Sequence, residues 1–150
     1  MTVKFFVDSN ILIYAYDTNN LDKQRAALKT LDRLAISGTG VISTQVLAEF
    51  FVTVTNERQF PNALSVVEAG NCIQNYTLAW EVVEVTGMIV LEAIRGVRDY
   101  QFSFWDAQIW ATAKLNQIPI IYSEDFNVEA AIEGVRFVNP LQVSEESSNS

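Results

Sequence analysis

A chain of 150 residues that is 49% hydrophobic, with no break in composition before its last few residues, suits one compact domain with a substantial core. It has no histidine and a single cysteine, Cys72, which excludes Ser-His-Asp and Cys-His nucleophile systems, histidine-ligated zinc or iron, cysteine zinc clusters and an internal disulfide. Eighteen acidic against ten basic residues give a net charge of -8, which opposes non-specific attraction to nucleic acid through a basic surface.

Val3-Lys4-Phe5-Phe6-Val7 reads as a short buried strand running into Asp8-Ser9-Asn10, three residue types that start helices, ahead of the apolar segment from Ile11 to Tyr16. A ligand site at the end of a strand and a plain N-cap both fit this pattern. Asp22 to Ile36 carries leucines at 28, 31 and 34 with basic residues between them, an amphipathic helix closed by Ser37-Gly38. Gly40-Val41-Ile42 is a strand, and Ser43 is the N-cap of a helix from Thr44 to about Asn56. In that helix Glu49 shares a stripe with Gln45, Thr53 and Asn56, opposite Leu47, Phe50, Phe51 and Val54. Periodicity alone favours solvent for this stripe and leaves a cleft wall open.

Pro61 near the first turn predicts a helix from Phe60 to about Tyr76. Trp80 to Val85 fits an edge strand, and Thr86 to Arg98 a helix, joined by Asp99-Tyr100-Gln101-Phe102 to a helix opening at Phe104-Trp105-Asp106. On a wheel of about 100° per residue, Ile109, Trp110 and Ala113 lie within roughly 60° of Asp106, while Gln108, Thr112 and Asn116 run up the other side, expected to face solvent. An inward carboxylate costs several kcal/mol unless a cation or donors meet it. Ser103-Phe104-Trp105-Asp106 also has capping-box spacing, and the two roles are compatible. Ile118 to Tyr122 is a strand ending in Ser123-Glu124-Asp125-Phe126, which is either an acidic turn or a second set of carboxylates at a strand end. Asn127 to Glu133 reads as a brief helix and Val135 to Val138 as the last strand. Residues 1–143 then form the domain, and the polar stretch 144–150 is expected to be disordered.

Alternating strands and helices imply an α/β fold with a mostly parallel sheet covered on both faces. Asp8 and Asp125 would end strands on one edge while Asp106 faces inward, so the three can share a pocket. Such acids repel or take up protons unless a cation sits among them, and an all-oxygen site suits Mg2+ or Mn2+. Apolar runs stop short of a membrane span and Met1-Thr2-Val3-Lys4 lacks a signal-peptide layout, so a soluble, cytoplasmic protein without membrane partners is expected.

Four segments taken in order, Phe6-Val7-Asp8-Ser9-Asn10-Ile11-Leu12, Ser43 to Phe50 with its Glu49, Ser103 to Ile109 with its Asp106, and Ile121-Tyr122-Ser123-Glu124-Asp125-Phe126 followed by Val138-Asn139-Pro140, resemble the successive signatures of PIN-domain ribonucleases. The VapC-type toxins of prokaryotic toxin-antitoxin pairs are the nearest match, and the resemblance runs from Val3 to about Leu141. It implies a three-layer α/β/α fold and an acidic pocket of Asp8, Glu49, Asp106 and Asp125 that holds Mg2+ or Mn2+ and cleaves RNA. It thereby raises Glu49 above the solvent reading. Ser9, Asn10, Ser123 and Glu124 would support that pocket, Ser123 as the hydroxyl that helps arrange the fourth acid. Either Glu124 or Asp125 can be the principal fourth acid. A cognate antitoxin and a homodimer are the partners expected besides RNA. Two other readings compete: a catalytically silent PIN-like module whose acids hold a metal or a partner's basic residue, and a phosphotransfer domain. The latter is disfavoured because Asp8-Ser9-Asn10 lacks the second aspartate of haloacid-dehalogenase-type phosphatases.

Overall fold

Phe5-Phe6-Val7 forms β1 (Phe5–Val7) at the centre of a five-stranded sheet in this computed structural model, which describes residues 2–126 and 131–142. The other strands are β2 (Gly40–Ser43), β3 (Glu81–Val83), β4 (Ile120–Tyr122) and β5 (Arg136–Val138), all paired in parallel in the order β3-β2-β1-β4-β5. Phe6, Val41, Ile42 and Ile121 are fully enclosed, as expected for a parallel sheet with helices on both faces. The helices are α1 (Ser9–Tyr14), α2 (Leu21–Ser37), α3 (Thr44–Val54), α4 (Val66–Ala79), α5 (Gly87–Tyr100) and α6 (Phe104–Leu115). Right-handed crossovers put the helices of the β1-to-β3 half on one face and α5 and α6 on the other, giving three layers. The chain reverses its direction of travel across the sheet between β1 and β4, which is the topological switch point.

Side-chain caps set most helix starts: Asp8 for α1, Ser43 for α3, Ser65 for α4, Thr86 for α5 and Ser103 for α6. Two close approaches fix the packing. A Cβ on Gly40 would lie 2.1 Å from the Trp80 ring, and one on Gly96 of α5 would lie 2.9 Å from Trp110 of α6. Among the described residues no helix is long and apolar enough to cross a membrane.

Three expectations need correction. The helix predicted from Phe60 begins only after Ser65, whose hydroxyl and the Glu68 carboxylate form a reciprocal capping box. Phe60 is instead buried in the core, and Asn62 takes a left-handed φ of 53° that no helix continues through, so Pro61 sits in a turn. Gln108 and Thr112 do not face solvent, being 6% and 0% exposed. α6 is enclosed on nearly all sides, and these polar groups are satisfied by the Gln45 side chain and the Gln108 carbonyl. Of the brief helix placed at Asn127 to Glu133, residues 127–130 lie outside the described residues. Its described end is a turn, in which Glu133 and Gly134 have φ of 50° and 87° and Ile132 bridges Val135. The tail 144–150 also lies outside the described residues.

Candidate active site

Parallel pairing of β1 with β4 sets Val7 beside Tyr122, so the next residues of the two strands, Asp8 and Ser123, meet at the carboxyl edge. Asp8 donates its backbone N–H to the Tyr122 carbonyl at 3.0 Å. Its carboxylate accepts from the Ser9 N–H at 2.7 Å and from the Ser123 hydroxyl at 2.8 Å. The same Ser123 oxygen accepts from the Asn10 amide at 3.1 Å and from the Asp125 N–H at 3.2 Å, and Asn10 in turn accepts the Glu124 N–H at 3.3 Å. Ser9, Asn10 and Ser123 thus form the bracket around Asp8. With only 4% of Asp8 exposed, burial pushes its carboxyl up to about 6, the Ser123 and Ser9 bonds hold it back, and the charges of Asp125 and Asp106 raise it further.

Glu49 reaches the same edge from the second turn of α3, which starts directly from β2 at Ser43. Its Oε1 is buried with no hydrogen-bond partner. Burial is the main cause that lifts its pKa to about 7, aided by the charges of Asp8, Asp106 and Asp125 and opposed by the Gln45 amide. Asp106 enters on the first turn of α6. Ser103 caps its backbone N–H at 3.2 Å, but the reciprocal bond from the Ser103 N–H is not formed, which leaves the carboxylate available to the pocket. Burial raises the Asp106 pKa, a side-chain contact with Ser103 lowers it, and the Asp125 charge raises it.

Asp125 and Glu124 part company. Asp125 is exposed and acts electrostatically on Asp8, Glu49 and Asp106, whereas Glu124 turns away to accept the Tyr14 hydroxyl at 2.6 Å and pair with Lys23 at 2.8 Å. Burial raises the Glu124 pKa, but these two partners outweigh it and hold the group below its usual value.

The charges of Asp106 and Asp125 therefore act on Asp8 and Glu49, and that of Asp125 on Asp106, which places four carboxylates within electrostatic reach at the switch point. Among the described residues, however, no three acids stand in the arrangement of a finished cation-ligand set. Like charges gathered without a counter-ion repel and stand apart. The orphaned Glu49 oxygen and the all-carboxylate donor set fit a hard divalent cation. Beside Glu49 opens a cavity of about 620 Å³, lined by Gln45, Ala48, Val52, Val85 and Trp105 among others. Sequence reasoning missed Tyr14, Lys23, Gln108 and Trp105 here. Gln45 was on the correct stripe, but only a partner helix could show that its end of the stripe is enclosed.

A PIN domain family model matches residues 5–131. The chain belongs to the PIN domain family. As a PIN domain it is similar in structure to a toxin-antitoxin complex from Klebsiella pneumoniae, at 20% identity over 93% of this chain and 100% of that one, with a TM-score of 0.66. It is also similar to VapC20 of Mycobacterium tuberculosis, a sarcin-ricin loop cleaving toxin, at 22% identity over 89% and 99% of the two chains and a TM-score of 0.63. VapBC2 from Rickettsia felis, bound to a DNA fragment from its promoter, aligns at 15% identity over 91% and 98%, with a TM-score of 0.66. At these identities the likeness establishes the fold of the PIN domain. A comparison with curated protein sequences finds no match.

Proposed function

We propose that this PIN domain is a divalent-metal-dependent ribonuclease and the toxin of a toxin-antitoxin pair. The observation that carries the reading is the gathering of Asp8, Glu49, Asp106 and Asp125 at the switch point, with a buried Glu49 oxygen that no donor meets. Asp8, Asp106 and Asp125, together with Glu49, would hold Mg2+ or Mn2+. Bound there, the ion supplies positive charge for the scissile phosphate and makes water more acidic. Ser123 and Asn10 keep the Asp8 carboxylate in one orientation. Glu49, whose Oε1 no donor engages, accepts a proton from the attacking water. In-line attack by water leaves a 5′-phosphate and a 3′-hydroxyl, with no part for the ribose 2′-hydroxyl. This reading takes Asp125 rather than Glu124 as the fourth acid, because Lys23 and Tyr14 engage Glu124.

Support for RNA as substrate comes from the similar VapC20, and support for an antitoxin from the similar toxin-antitoxin complexes. An arginine or lysine of that antitoxin would pair with the pocket carboxylates. A homodimer acting in the cytoplasm belongs to the same proposal. Incubating the purified protein with structured RNA and Mn2+ should give fragments with 5′-phosphate ends. Asp8→Asn and Asp106→Asn, shown folded by circular dichroism, should abolish cleavage, and Glu49→Gln should slow it by about 10²- to 10⁴-fold. A 2′,3′-cyclic phosphate product, or undiminished turnover by either aspartate variant, overturns the reading. The silent-module alternative draws on the net charge of -8. It predicts Mn2+ binding with no cleavage in the same assay.

A further inference from the structure

Trp105 is 62% exposed, on the first turn of α6 and next in sequence to Asp106. It lines the cavity beside Glu49, so one space joins the indole to the Glu49 side chain. Its backbone is pinned, since the Trp105 carbonyl accepts from the Gln45 amide at 3.2 Å, and Gln45 is itself held by Gln108 at 2.8 Å. The ring meets Phe104 edge to face, with centroids 5.2 Å apart and planes at 77°. The result is an aromatic face open to solvent, carried on a pinned backbone at the wall of a space it shares with Glu49. Ala48, Val52 and Val85 make apolar walls to the same space, and Gln45 and Gln108 bring amide groups to it. At about 620 Å³ it lies in the size range of small-molecule sites and has room for a nucleobase.

Charge decides what can bind there. A protein of net charge -8 with four acids at its site gains little from phosphate contacts. Stacking of a base on an aromatic face needs no opposite charge and tolerates any base. Resting on the ribonuclease reading, we propose that Trp105 stacks on an unpaired base next to the scissile phosphate, with the cavity as the seat of that nucleotide, so that single-stranded RNA is held by its bases rather than by its backbone.

The test is binding of a fluorescein-labelled single-stranded RNA of about a dozen nucleotides, read by anisotropy in an Asp8→Asn background that does not cut it. Trp105→Ala should weaken the Kd roughly 5- to 150-fold, and Trp105→Phe should restore most of the loss. One abasic sugar at the stacked position should weaken the Asp8→Asn parent to a similar extent and leave the Trp105→Ala variant no weaker than before. With Asp8 present and Mn2+ added, Trp105→Ala should raise KM and leave kcat nearly unchanged. Parental affinity in Trp105→Ala, no rescue by phenylalanine, or a loss confined to kcat overturns the proposal. So does a change in sedimentation mass without a change in RNA affinity, because the indole would then face a second copy of the chain. The two readings fail separately. Trp105-dependent binding without cleavage by the parent removes the nuclease and keeps the stacking, whereas cleavage that ignores Trp105 does the reverse.

Discussion

Asp8 and Glu49 make the metal-free protein sensitive to pH in an unusual direction. Burial lifts Asp8 from 3.8 to about 6 and Glu49 from 4.5 to about 7, so between about pH 4 and 7 the folded state holds protons that the unfolded chain has released. Stability therefore falls as pH rises through that window and levels off above it. The Asp8 shift alone corresponds to roughly 3 kcal/mol, and the contribution of Glu49, half open to solvent, is smaller than its shift suggests. Acids held low by ion pairs, Glu133 above all at about 2, act with the opposite sign but mostly below about pH 4. Denaturant unfolding in a metal chelator at about pH 4.5 and 7.5 should show the loss, and Asp8→Asn should remove most of it. Stability that rises over this interval would mean that Asp8 is ionised and well paired in the fold. At this scale Asp8 and Asp125 were legible because strand ends mark themselves by composition. Glu49 was not, since a polar stripe looks the same whether it meets water or, like its neighbour Gln45, another helix.

The elements α5 and α6 are joined through a contact that leaves no room for error. Ala at position 96 would gain about 1 kcal/mol of helix propensity but drive a methyl group into the fully buried Trp110 ring, an overpacking that costs about 1 to 3 kcal/mol. Gly96→Ala should thus be neutral to destabilising by about 2 kcal/mol, a fall in Tm of up to several degrees. A rise in Tm would show that the ring moves aside freely. Ser103→Ala should cost about 0.5 to 2 kcal/mol through loss of the α6 cap, with no change in metal response. The helix boundaries at Ser43, Thr86 and Ser103 could be read because each cap is a side chain speaking for itself. The start of α4 could not, because Pro61 and Ser65 both signal helix, and only the burial of Phe60 and the left-handed Asn62 decide for the later one. The face of α6 was misjudged for a related reason: a helix enclosed on nearly every side shows no amphipathic contrast to read.

The whole molecule carries its excess negative charge partly as a built-in repulsion at one edge of the sheet. A cation that binds only the folded state at about 100 times its Kd adds roughly 2.7 kcal/mol, which in a domain of this size raises the midpoint by several degrees. Mn2+ should therefore raise the Tm of the parent protein, while Asp106→Asn, no less stable in chelator, should lose most of that rise. Thermal melts of both proteins with and without Mn2+ check it, and equal metal responses would leave Asp106 as a capping residue only. The order β3-β2-β1-β4-β5 has a consequence for synthesis. Asp8 finds Ser123 across 115 residues of sequence, because β4 must come back to lie beside β1. A ribosome adding about 5–20 residues per second emits Asp8 and Glu49 several seconds before Asp106 and Asp125. No nascent chain can assemble the acidic cluster until Asp125 has left the exit tunnel, so Asp8 and Glu49 wait on the growing polypeptide without the two carboxylates that complete the edge.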